Sequence, residues 1–165
     1  MQLYPNLYLE NVQQITLELL QKYQIKALIL DVDNTLINYE KQMPEGTKHW
    51  CDTLKKEGIQ FCIVSNTNQK EKVEQVAKIL EIPYFYFAMK PLKRGFKRAI
   101  DTFQLKEEQI AAVGDQIFTD VWGANRSHLF SILVKPIEKQ DIWVTKLKRP
   151  VENWVIQNYE KQIRE

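Results

Sequence analysis

Apolar residues recur along this chain in two spacings, and the two take turns from one end to the other. Helical spacing comes first. Val12, Ile15, Leu19, Leu20 and Tyr23 share one face of a helix expected over residues 11–23, with Asn11 as its N-cap. Residues 27–30 then run apolar without alternation, the pattern of a short strand covered on both faces. Residues 37–43 form a polar stretch suited to a small flap. Residues 44–57 suit a helix that opens at Pro44 and stops before Gly58. The same exchange continues with a strand over 59–64, a helix over 69–80, a strand over 83–87 and a helix over 93–103. Glu107–Gln109 leads into a fourth strand over 110–113. A short helix through 124–126 precedes a fifth strand over 130–134, which Pro136 closes.

Strands exchanged with helices predict an α/β fold whose mainly parallel, five-stranded sheet lies between helical layers. No repeat, low-complexity segment or linker interrupts the pattern before residue 135. A single domain over 1–165 follows, with its core over about 24–135 and a helix beside it at each end. Near the C-terminus Val151, Trp154, Val155, Tyr159 and Ile163 have helical spacing, after Trp143, Lys146, Lys148 and Arg149. Such a helix packs its stripe on the sheet or lies at a membrane interface, and packing is the commoner use.

Composition narrows the setting. The chain has 165 residues, 44% hydrophobic and 27% charged, enough to bury a sizeable core. A net charge of +2 is too mild to mark a nucleic-acid partner. The N-terminus lacks the basic flank and apolar core of a signal peptide, and the longest apolar run, residues 84–89, is far short of a membrane span. Cys51 and Cys62 have no metal-type spacing, and Cys62 lies inside a strand, so reduced thiols in a cytoplasmic protein are expected. His49 and His128 belong to no ligand or catalytic pattern.

Candidate chemistry stands at the strand ends. Asp31 and Asp33 close the first strand, Ser65 and Asn66 the second, Lys90 the third, and Asp115 with Asp120 the fourth. Parallel strands present all their carboxyl ends on one side, where ligands bind. Carboxylates at the end of a buried strand also need a cation or donors to answer them. Taken singly, each is more common as a cap, a turn or a solvated charge. Together they match phosphoryl transfer to an aspartate, which splits phosphoester hydrolysis into two steps. A hard divalent cation would screen the repulsion between anions, and a hydroxyl and an ammonium would hold the phosphate oxygens.

DVDNTL at 31–36, SN at 65–66, Lys90 and GDQIFTD at 114–120 resemble, in order, the four motifs of the haloacid dehalogenase (HAD) superfamily of phosphatases. The resemblance covers about residues 24–135 and implies a three-layer, Rossmann-like fold. It implies that Asp31 is the nucleophile and Asp33 the general acid/base. Mg²⁺ would be held by Asp31, Asp115 and the Asp33 carbonyl, with Asp120 in support. Ser65, Asn66 and Lys90 would bind phosphate.

Neither interval between these motifs has room for a cap domain: residues 36–59 hold the flap and one helix, and 66–90 one helix and one strand. An open site favours a bulky substrate that covers the chemistry itself. Lys93, Arg94, Lys97 and Arg98 form two i, i+4 pairs on the helix after Lys90. That face would dock an acidic substrate or an anionic membrane surface, or else is simply solvated. The stretches LYPNLYLENV and KALILDVDNTLINY are similar to subfamily IIIA proteins related to phosphatidylglycerophosphate phosphatases, found in bacteria and mitochondria. That similarity implies an anionic phospholipid substrate met at the inner face of the membrane by a cytoplasmic protein. The alternatives are a soluble phosphometabolite, a nucleic-acid-end phosphate, or a module that only holds Mg²⁺ or a phosphorylated partner. Oligomeric state is not encoded in these patterns.

Overall fold

The computed structural model describes residues 2–139 and 143–164, with side chains in the second stretch described from Pro150 onward. Six strands form one sheet: β1 (Leu7–Leu9), β2 (Ala27–Leu30), β3 (Gln60–Val64), β4 (Tyr84–Phe85), β5 (Ile110–Gly114) and β6 (Phe130–Val134). Every pairing is parallel, and the order is β1-β6-β5-β2-β3-β4. The helices are α1 (Leu17–Lys22), α2 (Thr47–Lys56), α3 (Lys70–Leu80), α4 (Lys93–Phe103), α5 (Trp122–Arg126) and α6 (Trp143–Arg164).

The four residues of β2 show why the strand is apolar throughout. Leu28 and Leu30 face one side, with Leu20, Trp50, Leu54, Val73 and Leu80 from α1, α2 and α3. Ala27 and Ile29 face the other, with Phe96, Ala99 and Phe103 of α4 and Ala124 of α5. A strand buried on both faces has no position left for a polar side chain. Leu30 lies beside Ile63 of β3 and Val113 of β5, and the Asp31 amide donates to the Val113 carbonyl at 3.0 Å. This register delivers Asp31 to the centre of the sheet's carboxyl edge.

The sheet has six strands where the sequence pattern gave five. The added one, Leu7–Leu9, is half-buried at the edge, and its three residues are too few to carry a period. The N-terminal helix is also divided. Val12–Gln14 is a 3₁₀ turn, and α1 starts only at Leu17, because the Thr16 hydroxyl accepts the Leu19 N–H at 3.2 Å. Asn11 makes no side-chain cap. The helix expected from Pro44 begins at Thr47, after Gly46 turns the chain at φ +86°. The strand expected over 83–87 pairs only at Tyr84 and Phe85.

Among the described residues, no helix is long and apolar enough to cross a membrane. In α6, Val155 is fully buried against Ile117, Val121 and Leu133, and the Tyr159 hydroxyl donates to the Asn6 carbonyl at 3.2 Å. Val151, Trp154 and Ile163 are exposed. The expected stripe therefore packs in part. The Trp143, Lys146, Lys148 and Arg149 side chains lie outside the described residues.

Candidate active site

Lys90 reaches the site on the loop after β4, and its side chain is 3% exposed. Its Nζ donates to Asp31 Oδ1 at 3.0 Å and to Asp120 Oδ1 at 2.6 Å. Burial alone would favour the neutral amine, but the Asp120 and Asp31 carboxylates outweigh it and hold the ammonium charged. Asn66 fixes the main chain that carries it. The Asn66 carboxamide accepts the Lys90 N–H at 2.6 Å and donates to the Lys90 carbonyl at 2.9 Å. Its carboxamide is thus engaged in positioning Lys90, where the resemblance gave it to phosphate.

Asp120 arrives by a different device. After β5 the chain turns into a single π-helical turn, Ile117–Val121, which brings Asp120 back over Gly114. A Cβ at Gly114 would collide with the Asp120 carboxylate. Asp120 Oδ2 also accepts the Gln116 N–H at 3.1 Å. Asp115 is partly buried, and its Oδ1 accepts the Thr35 hydroxyl at 3.3 Å.

Asp31, Asp115 and Asp120 each offer an oxygen within 4.8 Å of the others. Burial lifts the Asp31 carboxyl from 3.8 to about 7, against the pull of Lys90 and with a further push from Asp120. Burial, Asp31 and Asp120 also raise Asp115 well above the ordinary range. Three carboxylates answered by one ammonium leave two negative charges when all are ionised. Hard oxygen donors with that excess fit a divalent cation such as Mg²⁺.

The Asp33 carboxylate stands outside this acidic group and pairs with Lys72 of α3 at 2.7 Å. The resemblance gives only the Asp33 backbone carbonyl to metal, and no sequence pattern marks Lys72. Ser65 is 1% exposed, and its Oγ accepts the Thr67 N–H at 3.3 Å, so the hydroxyl proton remains to be donated. Asn34, at φ +60°, clasps distant chain. Its Nδ2 donates to the Tyr39 hydroxyl at 2.9 Å and to the Glu138 carbonyl at 3.1 Å, while its carbonyl accepts the Ile137 N–H at 3.0 Å. The flap is thereby tied to the segment after β6.

The structure thus gathers Asp31, Lys90, Asp115 and Asp120, places Ser65 just past β3 on the same carboxyl edge, keeps Asp33 at the rim and gives Asn66 to the Lys90 backbone. The basic face of α4 is exposed as expected. Lys97 pairs with Asp101 at 3.2 Å, and Arg98 lies over the Phe85 ring at 4.7 Å. Lys93 and Arg94 meet no carboxylate among the described residues.

Residues 1–137 match the family model described as mitochondrial PGP phosphatase. The probable phosphatase YqeG of Bacillus subtilis is 36% identical over 155 residues, spanning 92% of this chain and 88% of that protein. Phosphatidylglycerophosphatase GEP4, mitochondrial, of Saccharomyces cerevisiae is 32% identical over 127 residues, 67% of each chain. Among solved structures, the HAD-hydrolase YfnB from Bacillus subtilis, itself bound to magnesium, aligns with a TM-score of 0.59 at 12% identity. The alignment covers 72% of this chain and 90% of that one, a likeness of fold.

Proposed function

The chain belongs to the PGP phosphatase family of HAD phosphatases, and from that premise we propose that it removes the terminal phosphate of phosphatidylglycerophosphate. The reaction runs through an aspartyl-phosphate on Asp31, with Mg²⁺ as cofactor. The observation that carries the chemistry is the position of Asp31: buried at the centre of the carboxyl edge, bonded by Lys90, with Asp115 and Asp120 beside it. Membership of a phosphatase family sets aside the reading of a module that only binds.

Asp31 Oδ attacks phosphorus, the bond from phosphorus to the glycerol oxygen breaks, and Asp33 gives that oxygen its proton. Asp33 then takes a proton from the water that attacks phosphorus in the Asp31 acyl phosphate, whose P–O bond to the carboxylate breaks, freeing inorganic phosphate and restoring Asp31. Ser65 and Lys90 donate to the phosphoryl oxygens, where charge accumulates. Mg²⁺ held by Asp31, Asp115 and Asp120 would neutralise the excess negative charge as anion meets anion. Lipid specificity is supported by the family and by the lack of a cap domain among the described residues, which leaves room for a substrate whose own body shields the reaction. Cytoplasmic location with contact at the inner membrane face accords with the same reading.

The test compares phosphate release, with and without Mg²⁺, from the lipid in mixed micelles, glycerol 3-phosphate and a phosphorylated oligonucleotide. The lipid is expected to be turned over fastest, and equal rates on all three would sink the choice of substrate. Asp31→Asn is expected to abolish both turnover and covalent phosphate. Asp33→Asn is expected to lower kcat by about 10²–10⁴-fold and to accumulate phospho-enzyme. Equal, mild effects of the two would refute the assigned roles.

A further inference from the structure

The loop that carries Lys90 presents its other side chains in an unusual way. Residues 87–90 alternate between exposed and buried, and Tyr86 and Leu92 on either side are exposed. Ala88 and Lys90 are buried, while Phe87 is 60% exposed, Met89 49% and Leu92 47%. Phe87 and Met89 adopt φ +51° and +58°, a left-handed backbone that bulky side chains rarely take. Such outliers persist only when surrounding contacts enforce them, and they cluster at functional sites.

Here the enforcement is visible. The Phe87 and Ala88 amides donate to the Thr67 and Ser65 carbonyls, each at 2.9 Å, and the Lys90 amide donates to Asn66. A side chain on Gly95 would come within 2.7 Å of the Ala88 carbonyl, so α4 also presses the loop in place. A steric cost is thus met on the loop that carries Lys90, and two large apolar groups stand out in water. Lys93 and Arg94 follow at once on the first turn of α4, exposed and without a carboxylate partner among the described residues.

We propose that Phe87, Met89 and Leu92, with Lys93 and Arg94, form a surface that docks on an anionic phospholipid bilayer and turns the catalytic pocket towards it. Apolar side chains that protrude beside cations suit a lipid interface, where the rings and chains enter the acyl boundary and the cations meet the headgroups. A protein partner would ask instead for a continuous, shaped apolar face. The loop spans the two functions. Its inward residue Lys90 holds the nucleophile, and its outward neighbours hold the membrane. This proposal deepens the lipid-phosphate reading above and rests on it.

The test is cosedimentation of the full chain with vesicles of phosphatidylcholine, alone and mixed with phosphatidylglycerol. Asparagine tolerates left-handed backbone, so the double variant Phe87→Asn, Met89→Asn should fold with an unchanged melting temperature. Binding to mixed vesicles is expected, weakening as salt rises. The double variant should lose about tenfold in vesicle affinity per side chain, yet still hydrolyse a small soluble phosphomonoester at the wild-type rate. Lys93→Glu with Arg94→Glu should also lose vesicle affinity, about fivefold or more per residue. Undiminished vesicle binding by the Phe87/Met89 double variant would overturn the proposal. So would a dimer in solution that this variant dissociates while wild type binds no vesicles. If wild type hydrolyses micellar phosphatidylglycerophosphate but binds no vesicles, the docking surface fails and the substrate reading stands. If it binds vesicles through these residues but releases no phosphate from that lipid, the substrate reading fails and the docking surface stands.

Discussion

Lys72 holds Asp33 through one 2.7 Å ion pair whose ends differ in exposure, 14% at the lysine and 46% at the aspartate. A pair so open to water adds at most about 1 kcal/mol to stability. Under the proposed mechanism its value lies in position, because a group that would deliver a proton and later take one has to start from a defined place. Lys72→Met should therefore lower kcat about tenfold with KM little changed, and Lys72→Arg should recover most of it. A purely structural lysine would instead lower the melting temperature and spare kcat. Asp31, Ser65 and Asp115 were legible because each follows directly on a strand that the apolar pattern defines, and Lys90 because it lies on the loop that follows one. Lys72 was not, since nothing in its local sequence separates it from Lys70 or Lys78 on the same helix. The task of Asn66 was hidden for a related reason: its partner is backbone 24 residues away.

At the scale of elements, the π-helical turn after β5 decides whether Asp120 enters the site. It works only because position 114 has no side chain. Gly114→Ala would drive a methyl into the Asp120 carboxylate and strain both Lys90 contacts. A destabilisation of about 1–3 kcal/mol is expected, read as a lower melting temperature, together with loss of phosphatase activity. The same change at exposed Gly58, where a Cβ meets nothing within 4 Å, tests only the effect of its positive φ and should spare the site. Sequence periodicity located most elements, since β2, β3 and β5 are buried on both faces and α3 and α4 on one. It missed β1, three half-buried residues long, and it ran α1 through Thr16, whose hydroxyl stops the first turn and starts the next. A π-helical turn has no sequence period of its own to read.

For the whole molecule, the crowded acids make stability depend on pH. Asp31 titrates at about 7 in the folded chain against 3.8 ordinarily, so between those values the native state binds a proton that the unfolded chain has lost. Stability is fully present below the lower value and falls as pH rises through the upper one. The metal-free protein should lose melting temperature from about pH 4 to about pH 7, and Mg²⁺ should restore more of it at about pH 8 than at about pH 5. A Mg²⁺ response independent of pH would show that the ion does not sit on these acids. The parallel order, and the lack of a cap among the described residues, were legible from the exchange of strands with helices and from the short intervals between motifs. The pairing of the first strand was not, because nothing local tells β1 which strand it will meet. That pairing bears on synthesis. At about 5–20 residues per second, the ribosome needs roughly 6–25 s after making β1 to supply β6, its neighbour in the sheet. The nascent chain therefore carries Asp31 long before Asp115, Asp120 and the Glu138 clasp exist. Asp31 is translated early, and the acidic cluster around it is assembled last.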